Sequence, residues 1–122
     1  MAQHNELGKL GEKLAARYLL YHGYSIMAVD WHYGHKDLDL VCSKDGVTIF
    51  VEVKTRATDN YGSPADAVDS RKIHNLIQSA QAYMVRNGID GPSRFDVITV
   101  VGDAEPFKIT HLPDAFNPYS LF

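Results

Sequence analysis

Two charged residues interrupt a segment that otherwise has the composition of a buried strand. Glu52 and Lys54 flank Val53 and follow a run of valine, isoleucine and phenylalanine between positions 47 and 51. A charge buried without a partner costs several kcal/mol, so such side chains are normally paired or bound to a metal. Because side chains alternate along a strand, Glu52 and Lys54 are expected on the same face.

A second carboxylate is expected beside this pair. Residues 38–42, which include Asp39, and residues 47–53 both consist mainly of strand-forming side chains. The connection between them contains Asp45-Gly46, a strong signal for a tight β-hairpin. The hairpin would place Asp39 next to Glu52 and Lys54, so two carboxylates and one ammonium group converge on one patch.

This combination suits metal-dependent hydrolysis of a phosphodiester bond. Mg²⁺ or Mn²⁺ would take oxygen ligands from Asp39 and Glu52, with the backbone carbonyl of Val53 as a further ligand. Such a metal lowers the pKa of a bound water and offsets charge on the phosphate. Lys54 would orient or deprotonate the attacking water, or stabilise the negative charge of the transition state.

The residue pattern leaves a structural alternative open. Glu52 and Lys54 would then form an ion pair on a solvent-facing side of the strand, with Asp39 uninvolved. Glu-x-Lys by itself occurs by chance in many proteins. An aspartate on one apolar strand and Glu-x-Lys on the next, joined by a hairpin, is more specific.

Hydrophobic periodicity predicts an α/β protein with a mixed sheet flanked by helices, in the order α-β-β-β-α-β-β. Gly8 and Gly11 each weaken the first helix, which close packing or a nearby ligand would explain. A polar-aromatic connection is expected at 31–36 and a mobile loop at 55–64. The predicted helices span residues 3–22 and 65–87, and the predicted strands span residues 24–29, 38–42, 47–53, 95–101 and 107–110.

Composition restricts the class of protein. At 122 residues the chain has the length of one domain, expected to span positions 1–122. Its one cysteine, Cys42, excludes an intrachain disulfide and is expected to be a small buried side chain. The sequence lacks a secretory signal pattern and an apolar run of membrane-spanning length, which predicts a cytoplasmic protein without a membrane partner. The net charge of −3 argues mildly against nucleic-acid binding, although local basic clusters are compatible with it.

Several motifs spread over nearly the whole chain carry a resemblance to a known family. The most specific motif is Phe50-Val51-Glu52-Val53-Lys54-Thr55-Arg56. The others are Gly8-Lys9-Leu10-Gly11-Glu12, Gly34 with Asp37-Leu38-Asp39-Leu40-Val41, Tyr61-Gly62-Ser63-Pro64, Lys72 and Arg94-Phe95-Asp96-Val97. With these motifs, the sequence resembles the YraN-like family of small, largely uncharacterised bacterial proteins, which are predicted members of the PD-(D/E)xK nuclease superfamily.

The resemblance implies a restriction-endonuclease-like core with Asp39, Glu52 and Lys54 as catalytic residues. It also implies that Glu12 reaches the metal from the first helix, although a solvated helix residue is the alternative. The chain departs from the usual Gly-Glu-Ile-Asp-Leu of the family, because it has Lys36-Asp37-Leu38-Asp39-Leu40. Asp39 is intact, and Asp37 keeps the acid of the family's glutamate with a shorter side chain.

Other residues have both a functional and a structural interpretation. Arg56 and Lys72 are expected to bind substrate phosphates, against the alternative of solvated charges. His32 and His35 are expected to be ordinary surface histidines rather than metal ligands.

One aromatic pair and one charged pair of residues also have expected roles. Trp31 and Tyr33 are candidates for base stacking or for core and subunit contacts. Arg94 and Asp96 are expected to form a structural salt bridge.

These observations predict a divalent-metal-dependent nuclease acting on DNA, with branched or single-stranded DNA as the expected substrate. The alternative is an accessory factor that keeps the nuclease fold and binds nucleic acid without turnover. A more distant alternative is a structural protein in which the ion pair is architectural. The small size and negative charge favour a homodimer for gripping a duplex.

Overall fold

The described part of the chain forms one five-stranded sheet with two helices. The structure is a computed structural model that describes residues 6–58 and 69–116. The elements follow the order helix, three strands, helix and two strands. They are α1 Glu6–Tyr21, β1 Ser25–Tyr33, β2 Lys36–Lys44, β3 Val47–Arg56, α2 Ser70–Arg86, β4 Ser93–Val101 and β5 Lys108–Leu112.

The strands lie in the sheet in the same order as in the chain, from β1 at one edge to β5 at the other. Neighbouring strands are antiparallel except β3 and β4, which are parallel and joined through α2. This confirms the predicted α/β class, the meander of the first three strands and the element order of a restriction-endonuclease-like core.

The two helices cover opposite faces of the sheet. On one face, Ala15 and Leu19 of α1 pack against Leu40, Val51 and neighbouring strand residues. On the other face, residues of α2 that include Leu76, Ala80 and Tyr83 pack against a cluster around Phe50 and Phe95. Neither helix in the described part of the chain is long and apolar enough to cross a membrane.

The hairpin that the sequence predicts is present and determines the register of β2 and β3. Asp45 and Gly46 both have positive φ, 55° and 81°, as a two-residue hairpin turn requires. Cys42, next to this hairpin in β2, is fully buried, and burial raises the pKa of its thiol to about 12. The prediction of a small buried side chain is therefore confirmed.

Two predicted connections were wrong in their boundaries. The polar-aromatic connection at 31–36 is mostly strand, because β1 and β2 pair as far as Tyr33 and Lys36 and only Gly34 and His35 form the turn. Thr55 and Arg56 continue β3 rather than beginning a loop, because β4 pairs with both. The rest of the predicted loop beyond Thr58, and the first residues predicted for the second helix, lie outside the described residues. Asp69 is the N-cap of α2 and accepts a hydrogen bond from the backbone N–H of Lys72.

A buried network between β4 and β5 confirms the predicted salt bridge between Arg94 and Asp96. Asp96 is fully buried and pairs with Arg94 at 2.9 Å and with His111 at 2.8 Å. The backbone N–H of Asp114 also donates to it. Burial by itself raises the pKa of Asp96, but these hydrogen bonds outweigh it and hold that pKa below its usual range. The network joins β4 to β5, so its charges have a structural explanation.

Gly11 allows α1 to lie unusually close to β3. A β-carbon at this position would overlap the side chain of Thr55. The close approach explains the glycine in a helix that alanine would favour, and it brings the next residue, Glu12, towards the end of β3. Close packing, rather than conformational freedom, is therefore the reason for Gly11.

We expect the substitution Gly11→Ala to destabilise the protein. Because the added β-carbon would overlap three side-chain atoms of Thr55 at once, we expect an overpacking cost of about 2–3 kcal/mol, of which the better helix propensity of alanine returns about 1 kcal/mol. The melting temperature in a calorimeter should therefore fall by roughly 3–10 °C. Adding Thr55→Ala removes two of the overlapping atoms and should restore part of the loss. A Gly11→Ala variant as stable as the parent would contradict the close approach of α1 and β3.

Candidate active site

A polar cavity opens where β3 extends beyond its pairing with β2. That pairing ends at Leu40 and Val51, so residues from Glu52 onward pair only with β4. The cavity has a volume of about 440 Å³ and receives side chains from both helices. Its lining consists of Gly8, Lys9, Glu12, Asp30, His32, Asp39, Glu52, Val53, Lys54, Thr55 and Lys72.

Asp39 reaches the cavity because the strand alternation breaks at this residue. Leu38 and Leu40, two positions apart, pack into the clusters on opposite faces of the sheet. Across the ladder, Asp30 lies between the partners of these two leucines and has a left-handed backbone with φ of 53°. The carboxylate of Asp39 accepts a hydrogen bond of 2.9 Å from the backbone N–H of Val53, which fixes it at the gap between β2 and β3.

Glu52 is a buried acid on the face of the sheet that α2 covers. Its neighbours in sequence, Val51 and Val53, belong to the opposite face, as regular alternation requires. Only 4% of the Glu52 side chain is exposed, and its carboxylate lies 3.2 Å from the ammonium nitrogen of Lys72. The architectural alternative, a solvent-facing ion pair between Glu52 and Lys54, is therefore wrong in both burial and partner.

Asp39 and Glu52 perturb each other strongly. Burial is the largest cause that raises the pKa of each carboxyl group above its ordinary value. The charge of Asp39 raises the pKa of Glu52 further, and Lys72 only partly offsets this, so the pKa of Glu52 reaches about 8. For Asp39, the hydrogen bond from Val53 lowers the pKa but does not cancel the effect of burial. The pair is therefore short of positive charge.

Glu12 faces this pair from α1. Burial and the nearby charges of Asp39 and Asp30 raise the pKa of Glu12 to about 7, while His32 acts in the opposite direction. The electrostatic effect of Asp39 on Glu12 shows that the helix residue approaches the same cavity. A fully solvated helix residue, the alternative for Glu12, does not fit this environment.

The remaining motif residues divide between the cavity and its surroundings. Lys54 and Val53 both line the cavity, as predicted. Lys54 also lines a smaller adjoining cavity of about 220 Å³, together with Arg71 and Lys72. Arg56, a predicted substrate contact, follows Thr55 at the end of β3 and is not part of either lining.

The predictions for residues of the β1–β2 hairpin agree only in part with the structure. His32 and His35 are exposed, as expected for surface histidines, but His32 lines the cavity and pairs with Asp30 at 2.9 Å. Trp31 packs edge-on against Tyr83 of α2, with ring centroids 5.3 Å apart, and contributes to the core. The ring of the more exposed Tyr33 lies 4.1 Å from the guanidinium of Arg86.

The donor set fits a divalent cation that keeps several waters. Within residues 6–58 and 69–116, no group of three or more His, Cys, Asp or Glu side chains is arranged to hold a metal. Glu12 therefore does not complete a three-carboxylate cluster with Asp39 and Glu52. Two carboxylates and a backbone carbonyl at Val53 remain, a set of hard oxygen ligands that is typical of Mg²⁺ sites.

The ion pair of Lys72 with Glu52 was not predicted from the sequence. The predicted contact of Lys72 with substrate stays a prediction. Burial opposes the charge of Lys72, yet the carboxylates of Glu52 and Asp39 raise its pKa above the ordinary value. No pattern in the sequence indicated this pair, because the predicted helix begins at residue 65 and Lys72 then lies beyond its first turn.

Comparisons with known proteins identify relatives along the chain. The profile of a family described as "Uncharacterised protein family UPF0102" matches residues 11–100. Proteins named UPF0102 protein from Phocaeicola vulgatus and Bacteroides thetaiotaomicron are each 48% identical over 118 residues, which covers 97% of this chain and 98% of each relative. A relative from Flavobacterium psychrophilum is 40% identical over 95% of this chain and 98% of its own length. The family is the one that the sequence motifs resemble.

We expect the stability of the metal-free protein to fall between about pH 5 and pH 8. A carboxyl group whose pKa rises on folding binds its proton more tightly in the folded state, so stability is lost as the pH rises from 4.5 to about 8 for Glu52. In chelator, Glu52→Gln should reduce this loss, because the variant has no proton to release.

Melting temperatures across this pH range would measure the effect. Glu6→Gln, which changes an exposed carboxylate in α1, is the matched control and should behave like the parent. If Glu52→Gln and the parent show the same pH dependence, the charge of Glu52 is not a source of instability.

Proposed function

This protein belongs to the uncharacterised family UPF0102, and we propose that it is a divalent-metal-dependent nuclease that hydrolyses phosphodiester bonds in DNA. The observation that carries this proposal is the pairing of half-buried Asp39 with buried Glu52 in the lining of an open cavity. Both carboxyl groups have raised pKa values. A bound cation would supply the positive charge that the pair lacks.

Asp39 and Glu52, with the carbonyl of Val53, would hold Mg²⁺ or Mn²⁺. The ion would lower the pKa of a bound water and offset the charge of the scissile phosphate. The hydrogen bond from the Val53 N–H fixes one oxygen of Asp39 and leaves the other for a ligand. Burial of Glu52 to 4% exposure keeps its carboxylate in one orientation.

Lysine side chains line the cavity that contains Asp39 and Glu52. Lys9, Lys54 and Lys72 approach it from α1, β3 and α2 respectively. An ammonium group beside the reacting phosphate stabilises the negative charge that develops in the transition state. Lys54 lies on β3 two residues after Glu52, so we assign this role, or orientation of the attacking water, to it. Glu12 provides a third carboxylate across the cavity for positioning that water.

Adjoining cavities extend the binding surface to the size of several nucleotides. One of about 420 Å³ lies between α2 and the β1–β2 turn and is lined by His35, Lys36, Asn75 and Gln78 among others. The smaller one, with Lys54 and Arg71, lies on the other side of Lys72. Cations and amides along this route suit a phosphate backbone. Single-stranded DNA or a branch point fits such cavities more easily than an intact duplex. For a duplex, a homodimer would provide a second binding surface.

The test is cleavage of labelled single-stranded, duplex and junction DNA by purified protein with Mg²⁺ or Mn²⁺. We expect cleavage of at least one open or branched substrate, and none in chelator. Asp39→Asn, Glu52→Gln and Lys54→Met should each reduce the rate about 100-fold or more, because each removes charge that acts on the transition state. Asp103→Asn, which changes an exposed acid in the β4–β5 connection, is the matched control and should retain activity.

Two outcomes would contradict the proposal in different ways. Undiminished cleavage by Glu52→Gln would show that the activity comes from a contaminant or another site. Tight binding of DNA by the parent without cleavage, under every metal condition, would instead favour the accessory factor that binds nucleic acid without turnover.

A further inference from the structure

Lys72 is held between a buried acid and solvent. Its ammonium nitrogen lies 3.2 Å from Oε2 of Glu52. The Glu52 side chain is 4% exposed, whereas the Lys72 side chain is 42% exposed. The carboxylate is therefore fixed by its surroundings, while the lysine has open space on its other side. Of the two partners, only the lysine can leave the ion pair without a rearrangement of the sheet.

The stability of α2 does not explain a lysine at this position. Lys72 is the third residue after the N-cap Asp69, in a first turn that contains no acid. The positive end of the helix dipole disfavours cations there. The preceding residue, Arg71, adds a second cation to the same turn. An acidic residue would complete the capping pattern better, so the interaction with the carboxylate pair must outweigh a local disadvantage.

Lys72 also borders three cavities. It lines the cavity of the acidic pair, the one that contains Lys54 and Arg71, and the one between α2 and the β1–β2 turn. A long flexible side chain at this junction can reach a phosphate in either neighbouring cavity once it leaves Glu52. An ammonium group and a divalent cation also repel each other at this distance, so a cation bound to Glu52 weakens the ion pair between Glu52 and Lys72.

We propose that Lys72 is an internal counter-ion of the Asp39–Glu52 pair that a divalent cation displaces, and that the freed ammonium then binds a backbone phosphate of the nucleic acid. The proposal rests on the proposed function, because it takes Asp39 and Glu52 as the metal ligands. Before metal binds, Lys72 neutralises part of the charge of the Asp39–Glu52 pair. After metal binds, the same positive charge increases the affinity for the nucleic acid. Metal binding and substrate binding therefore favour each other.

The first experiment measures Mn²⁺ binding by titration calorimetry on the full chain. Lys72→Met keeps the length of the side chain and removes its charge, so Mn²⁺ no longer competes with an ammonium group. Its Kd for Mn²⁺ should be at least about tenfold lower than that of the parent. Lys72→Gln, which can still donate a hydrogen bond to Glu52, should show the same direction if Lys72→Met folds poorly. Arg17→Met removes an exposed cation of α1 that lines none of these cavities and is the matched control, with a change of less than about threefold.

The second experiment separates the two states of Lys72 by a thermodynamic cycle. Affinity for a fluorescent single-stranded oligonucleotide is measured for the parent and Lys72→Met, in chelator and with Ca²⁺, and a gel verifies that the strand stays intact. With Ca²⁺ the variant should bind severalfold more weakly, because the freed ammonium is missing. In chelator the loss should be less than about twofold, because Lys72 is then occupied by Glu52.

The outcomes distinguish this inference from the proposed function. A parent that binds neither Mn²⁺ nor Ca²⁺ would overturn both. A parent that binds Mn²⁺, with Lys72→Met and Lys72→Gln binding it no more tightly, would overturn the displacement of Lys72 and leave the nuclease proposal standing. An equal loss of oligonucleotide affinity in chelator and in Ca²⁺ would show that Lys72 does not change partner.

Discussion

Two carboxylates placed side by side where an apolar core meets a polar cavity are an unfavourable arrangement. The raised pKa values of Asp39 and Glu52 express this directly, since burial and mutual repulsion favour the protonated forms. The fold offers one backbone N–H from Val53 and one ammonium group from Lys72 as compensation. Replacing both acids with apolar side chains would stabilise the sheet better, so the pair is best explained by what it binds.

Much of the surrounding architecture serves to bring these groups together. The break in alternation at Asp39 turns its carboxylate towards the gap that β2 leaves beside β3. Gly11 lets α1 approach β3 closely enough to carry Glu12 to the cavity. The first turn of α2 supplies Lys72 from the other face of the sheet. Elements on both faces of the sheet therefore meet at one site. The Asp96 network separately joins β4 to β5.

The sequence predicted those features that depend on local chemistry. The Asp45-Gly46 turn and the strand composition predicted the hairpin, which determines the neighbourhood of Asp39 and Glu52. Contacts between distant parts of the chain were harder to predict from the sequence. Lys72 lies on α2 and Glu52 on β3, and no local sequence pattern connects the two positions, so their ion pair was missed. The extension of β1 through Trp31 and Tyr33 was also missed, because it depends on pairing with β2 and packing on α2.

The central claim, that Asp39 and Glu52 form a divalent-cation site, is tested most directly by a crystal structure grown with Mn²⁺ and measured for anomalous scattering. The account predicts an anomalous peak between the two carboxylates, with oxygen ligands at about 2.1 Å and the ammonium group of Lys72 moved away from Glu52. A structure at saturating Mn²⁺ with no peak there, and with Lys72 still 3.2 Å from Glu52, would contradict it.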